Sequence, residues 1–243
     1  MREPYLNLIC LPYAGGSQNI FNEWKRNMMS EVNVIPVELS GRGKRMDDPL
    51  YNDFNEAIED IYKCIKEDVF NQPYAIAGHS MGGLLAYELA NKLVSEDQRS
   101  PEFLVLSGKN PPHIRVNTKI HQLSEEDMIT ELLKLGGIKP EFIQYQELMS
   151  LFLPIIRSDF KLVETYEYLS TEPLKVDIHI MYGSADHMTT GEQLYQWDNY
   201  SHKKCFYKEF KGDHFFIETS SRDVVDYVNG VCMDYINNHK QEA

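Results

Sequence analysis

Nowhere in the 243 residues do eighteen apolar side chains follow one another, so the sequence offers no candidate membrane span. The amino terminus has no basic segment leading into an apolar one. Strand-like sequence begins by Leu6, no secretory signal is read, and a cytoplasmic protein is expected. Cysteine is scarce: Cys10, Cys64, Cys205 and Cys232 are scattered, without the Cys-x-x-Cys spacing of zinc or redox sites. They lie mostly in apolar segments and read as buried free thiols, and no metal site is expected. Basic residues are few as well. Against 37 Asp and Glu there are 24 Lys and Arg, and a net charge of −13 denies the chain the basic face that nucleic-acid binding requires. Internal repeats and low-complexity segments are also missing, which excludes solenoid and linker-rich architectures.

What is present is enough apolar sequence, 42% of the chain and 12% aromatic, to bury one large core. A single α/β domain spanning 1–243, interrupted by an insertion, is the expected organisation. Apolar runs bounded by turn residues recur at Leu6–Leu11, Val32–Leu39, Tyr74–Ala77 and Phe103–Ser107, the composition of strands buried on both faces of a parallel sheet. Helix-spaced segments separate them at Phe21–Met29, Phe54–Val69 and after Gly83. This alternation predicts right-handed crossovers and a doubly wound, mostly parallel sheet. From about residue 111 to 170 it stops. Glu125–Leu135, Glu141–Leu153 and Ile155–Tyr168 read as helices separated by Gly136-Gly137 and Pro154, an inserted helical lid with large apolar residues that include Leu132, Leu133, Met149 and Phe152. Such a stripe is equally the ordinary packing face of a helix. Strand pattern returns at Val176–Tyr182 and Cys205–Phe210, and a helix from Val224 to Ile236 closes the chain.

The stretch Gly78-His79-Ser80-Met81-Gly82-Gly83 has the form Gly-x-Ser-x-Gly, between a strand and a helix. A serine on so sharp a turn occupies a strained backbone that only near-absent neighbouring side chains permit, and the strain lifts its hydroxyl clear of the sheet; an ordinary glycine turn is the bland alternative. Serine needs a base, and the base needs a carboxylate to orient it. Of eight histidines, His179 falls in a strand, and His202 and His239 in polar segments. His79 and His187 neighbour the candidates but are read as pointing elsewhere. His214 alone occupies a glycine-flanked loop after the last strand, and Asp186 follows the strand before it. The order Ser80, Asp186, His214 is that of α/β-hydrolases.

The segments Leu11-Pro12-Tyr13-Ala14-Gly15-Gly16-Ser17, Gly41-Arg42-Gly43, Gly78–Gly83, Phe152–Phe160 and Gly212-Asp213-His214-Phe215-Phe216 together resemble the stand-alone type II thioesterases that accompany nonribosomal peptide and polyketide synthases. The resemblance spans nearly the whole length. It implies an α/β-hydrolase with a helical lid, removing misloaded or stalled acyl groups from the phosphopantetheine arm of acyl or peptidyl carrier proteins. It further implies a monomer with no cofactor of its own and backbone N–H groups of Met81 and Ala14 as oxyanion donors. A general esterase, an acyl-CoA thioesterase and a non-catalytic synthase-binding module are the alternatives. Thioester chemistry suits a modest site, because a thiolate leaves without full protonation.

Overall fold

In the computed structural model, which describes residues 5–189 and 191–240, six strands form one parallel sheet. They are β1 (Leu6–Leu11), β2 (Val32–Pro36), β3 (Tyr74–His79), β4 (Phe103–Ser107), β5 (Asp177–Gly183) and β6 (Cys205–Phe210), in spatial order β2-β1-β3-β4-β5-β6. Every residue of β1, β3 and β4 is buried, which requires cover on both faces. Alternate side chains show what supplies it. Ile9, Leu11 and Ile76 pack with α2 (Phe54–Asn71) and α3 (Met81–Ser95), whereas Leu6, Leu8, Cys10 and Ala75 pack with α1 (Asn22–Asn27) and α8 (Ser221–Lys240) through Trp24, Val224 and Val228. Two short helices, α6 (Gly191–Leu194) and α7 (Phe216–Thr219), complete the connections around β6.

The chain leaves β1 towards β2 on one side and returns to β3 on the other, so the loops after β1 and β3 open apart at a switch point, the place where such sheets bind ligands. Leu11 and Gly78 are in register there, which sets Tyr13–Gly16 beside Ser80.

Between β4 and β5 lie α4 (Glu125–Lys134) and α5 (Gln146–Thr165), with their own small core of Ile120, Met128, Leu132, Met149, Leu153 and Ile156. Ser124 caps α4 by accepting from the Asp127 N–H at 3.1 Å. At the other end Gly137 N–H donates to Leu132 O and Gly136 N–H to Leu133 O, with Gly136 at φ +75°, so the glycine pair stops α4 in a Schellman turn.

Some boundaries differ from expectation. Pro154 does not separate two helices: α5 runs through it, because Pro154 and Ser150, whose carbonyl the proline cannot bond, are both on the exposed side, while Leu153, Ile155 and Ile156 are anchored by burial. Glu141 belongs instead to a short 3₁₀ turn, Pro140–Phe142. The second strand ends at Pro36, although Val37 and Leu39 stay buried beyond it. The first helix reaches only Asn27, preceded by a 3₁₀ turn at Gln18–Phe21, and the last spans Ser221–Lys240. All four cysteines are free, but only Cys10 and Cys232 are buried; Cys205 is half-buried and Cys64 exposed, on the outer side of α2. No described helix is long and apolar enough to cross a membrane.

Candidate active site

Ser80 stands between β3 and α3 at φ +54° and ψ −115°, a conformation costly to any residue with a side chain. What holds it there is close backbone contact. A Cβ on Gly78 would lie 2.0 Å from Gly82 O, and one on Gly82 would lie 2.1 Å from Leu11 O, so α3 can start this near the sheet only with glycine at both positions. The Ser80 N–H donates to Ser107 O at 2.7 Å, tying the turn to the end of β4. Ser80 is half-buried and lines a cavity of about 390 Å³.

The loops after β5 and β6 are bonded to each other: Ser184 N–H donates to Phe210 O and Ala185 N–H to Gly212 O, both at 2.8 Å. That junction sets His214 Nδ1 2.9 Å from Asp186 Oδ2, with both residues buried. Asp186 also accepts from the Met188 N–H at 2.8 Å and the Thr189 hydroxyl at 3.0 Å. Burial pushes its carboxyl upward, but the bond and charge of His214 with these two donors outweigh burial and hold it below the usual carboxylate range. Because a carboxylate only accepts, Nδ1 carries the proton and Nε2 presents a lone pair.

The Tyr13–Gly16 turn forms the facing wall. Gly16 N–H closes it on Tyr13 O at 2.9 Å, and Gly15 N–H donates to Asp159 Oδ2 at 2.7 Å. Ala14 and Met81 both line the Ser80 cavity, and the N–H of neither donates to another group among the described residues. Both N–H groups are therefore open to a ligand in the cavity beside Ser80. Asp159 in turn receives Arg42 Nη1 at 2.7 Å and Nη2 at 2.8 Å, while Nη1 also reaches Gly16 O at 3.0 Å. This pair is 3% and 0% exposed, and neither residue had been assigned a role from sequence.

His79 does not simply turn away. Its ring lies 5.0 Å from that of His214, its Nδ1 is 2.8 Å from Ser107 Oγ, and burial, then the neighbouring His214, push its pKa well below the ordinary histidine value. It forms a neutral wall behind His214. His187 is exposed and lines the cavity. Of the four lid candidates, Leu132 borders the Ser80 cavity, and Met149 and Phe152 border a neighbouring one of about 550 Å³ that shares Tyr13, Gly137, Ile156 and Phe215 with it. Leu133 borders neither. Among the described residues no three His, Cys, Asp or Glu side chains gather as metal ligands.

Residues 6–232 match the thioesterase domain family. The chain belongs to the thioesterase family. It is similar to the gramicidin S biosynthesis protein GrsT of Aneurinibacillus migulanus, at 32% identity over 228 residues, covering 92% of this chain and 87% of that protein. Among solved structures it resembles ClbQ from the colibactin NRPS/PKS pathway, with a TM-score of 0.90 at 31% identity over 94% of this chain and 97% of that one. It also resembles YbtT, the type II thioesterase of the yersiniabactin NRPS/PKS pathway, with a TM-score of 0.84 at 28% identity, covering 94% and 93%. The fold is thus that of the α/β-hydrolase thioesterases, and the family's reaction is hydrolysis of thioesters.

Proposed function

We propose that this thioesterase is a type II, editing enzyme that clears misloaded or stalled acyl and aminoacyl groups from the phosphopantetheine arm of carrier proteins in a nonribosomal peptide or polyketide synthase. The arrangement that carries the reading is the Asp186–His214 bond of 2.9 Å in the same chamber as the strained Ser80 and two unengaged N–H donors.

In this reading His214 Nε2 takes the Ser80 proton as Oγ attacks the thioester carbonyl, and Asp186 stabilises the imidazolium. The N–H groups of Met81 and Ala14 hold the oxyanion, aided by the positive end of α3. Collapse expels the carrier's thiolate, which takes the proton from His214, and leaves an acyl-Ser80 ester. Water, deprotonated by His214, then releases the acid and restores Ser80. The chain supplies no cofactor; phosphopantetheine arrives with the substrate. The partner is a carrier protein domain, met by a monomer. Carrier domains are usually acidic and this chain carries −13, so docking rests on local contacts rather than long-range attraction.

A kinetic comparison of one acyl group on a carrier protein and on coenzyme A tests the proposal. Higher kcat/KM for the carrier-bound form is expected. Equal or better turnover of the coenzyme A form assigns the chain to acyl-CoA hydrolysis instead, and failure of Ser80 to react with a fluorophosphonate would leave only a binding role.

A further inference from the structure

The chamber around Ser80 has an unexpected charge pattern. Although the chain carries 37 Asp and Glu, no carboxylate is among the described residues that line the chamber; Lys109 and Arg115 are. Arg115 is exposed, whereas Lys109 is only 8% exposed. Lys109 follows β4 directly, and its position is fixed from two sides. Trp197 Nε1–H donates to its carbonyl at 2.9 Å, and its Cβ lies 3.2 Å from where a side chain on Gly83 would begin, so the stem crosses the first turn of α3. The preceding residue, Gly108, approaches the His214 ring to 3.2 Å by the same measure. Lys109 thus lines the Ser80 chamber one residue beyond the glycine that meets the His214 ring.

Its ammonium has no hydrogen bond or ion pair with any described residue. On the far side it borders a groove containing Glu164 and Glu167; neither pairs with it, Glu167 being exposed and Glu164 already engaged by the Thr118 hydroxyl, the Ile120 and His121 N–H groups and the His121 ring. The ammonium is not fully enclosed and keeps an opening to solvent, yet burial of the residue brings the Lys109 pKa down to about 8. The amine stays mostly protonated at neutral pH and lacks a counter-ion.

We propose that Lys109 is the specificity group of the acyl chamber and selects acyl thioesters that carry a carboxylate, which completes the missing ion pair. The inference rests on the thioesterase reading of Ser80. The phosphate of a phosphopantetheine arm does not fill this role, because it lies a full arm's length from the thioester while Lys109 lines the chamber that holds Ser80. A site whose buried polar group is satisfied only by the right substrate discriminates strongly against analogues that lack the matching group.

The test uses N-acetylcysteamine thioesters in pairs of equal carbon count, propionyl and malonyl, butyryl and succinyl, hexanoyl and adipyl, with the wild-type chain, Lys109→Met and Lys109→Arg. For the pair with the highest wild-type ratio of carboxylated to neutral kcat/KM, Lys109→Met should lower that ratio tenfold or more, through KM, and Lys109→Arg should retain most of it. Ratios within twofold of wild type at every length overturn the proposal, while hydrolysis of no thioester by the wild-type chain overturns the thioesterase reading instead. Thermal unfolding supplies a second readout. Lys109→Met should melt at or above the wild-type temperature, since it removes a largely desolvated charge that has no partner, and a clear fall in melting temperature shows a structural partner and also overturns the proposal.

Discussion

Replacing Asp159 by Asn asks whether the buried ion pair beneath the Tyr13–Gly16 turn holds the oxyanion donor in place. In the native protein the Asp159 carboxylate receives two Arg42 nitrogens and the Gly15 N–H, all within 2.8 Å, and it is wholly buried. Neutralising one member of such a pair strands the other charge, a loss of about 3–5 kcal/mol. For a chain of this size that corresponds to a fall in melting temperature of roughly 6–20 °C. The turn that carries the Ala14 N–H is also held less firmly, because the amide keeps one neutral oxygen for Gly15 N–H and turns its NH2 towards Arg42, and misplacing one oxyanion donor lowers kcat about 10²-fold or more. Single-turnover hydrolysis of a carrier-bound acyl group, measured well below the variant's melting temperature, separates the two effects. The double variant Arg42→Met with Asp159→Leu removes both charges and should regain most of the stability without regaining kcat, because leucine leaves the Gly15 N–H with no acceptor. An Asp159→Asn protein with wild-type melting temperature and turnover within threefold refutes the reasoning.

Acid sensitivity should begin near neutrality rather than in the carboxylate range. The native His79 pKa lies well below the unfolded value of about 6.5, so the unfolded chain binds a proton that the native chain does not, and stability falls by up to about 1.4 kcal/mol per pH unit below 6.5. His179, brought down to about 4 by burial, acts with the same sign, whereas the lowered Asp186 contributes stability that is lost only as pH falls below about 4. Urea unfolding at pH 7, 6 and 5 should therefore show a shallower acid slope for His79→Gln than for wild type, and identical slopes contradict this. Phe152 is 37% exposed and borders the second cavity, so Phe152→Ser should shift the melting temperature little yet slow carrier-bound substrates more than N-acetylcysteamine thioesters; parallel losses assign it to packing. Met149, only 7% exposed within the small helical core, should behave oppositely on change to Gln, losing stability and both activities together.

The turn at Ser80 was legible because its signal is local: strand, glycines and helix lie within some twenty consecutive residues, and the contact that demands Gly78 is with the adjoining helix start, although Gly82 answers to Leu11 at the end of β1. Asp186 and His214 were legible for a related reason, each following a recognisable strand. Pairing across distance was not. Arg42 and Asp159 stand 117 positions apart, and a motif such as Gly41-Arg42-Gly43 says nothing about which carboxylate will meet it. Lys109 was invisible as well, since a lysine just past a strand reads as solvated until Trp197 and α3 are seen to enclose it. Pro154 misled because helix propensity weighs the lost hydrogen bond but not the anchoring of Leu153, Ile155 and Ile156, which keeps α5 whole. The glycine pair after α4, by contrast, does stop its helix, through a capping turn that any sequence ending Leu-Gly-Gly can form.

The central claim is that Ser80 forms an acyl-enzyme at the expense of a carrier-bound thioester. Intact-mass spectrometry of a stoichiometric mixture of the enzyme and an acyl-carrier protein, sampled through a single turnover, reads both partners at once. For wild type the account predicts loss of the acyl mass from the carrier and its transient appearance on the enzyme, placed on the Ser80 peptide by digestion of a quenched sample, followed by free acid. Ser80→Ala and His214→Ala, if folded, should release acid four to six decades more slowly. A folded Ser80→Ala protein that clears the carrier within tenfold of the wild-type rate would contradict it.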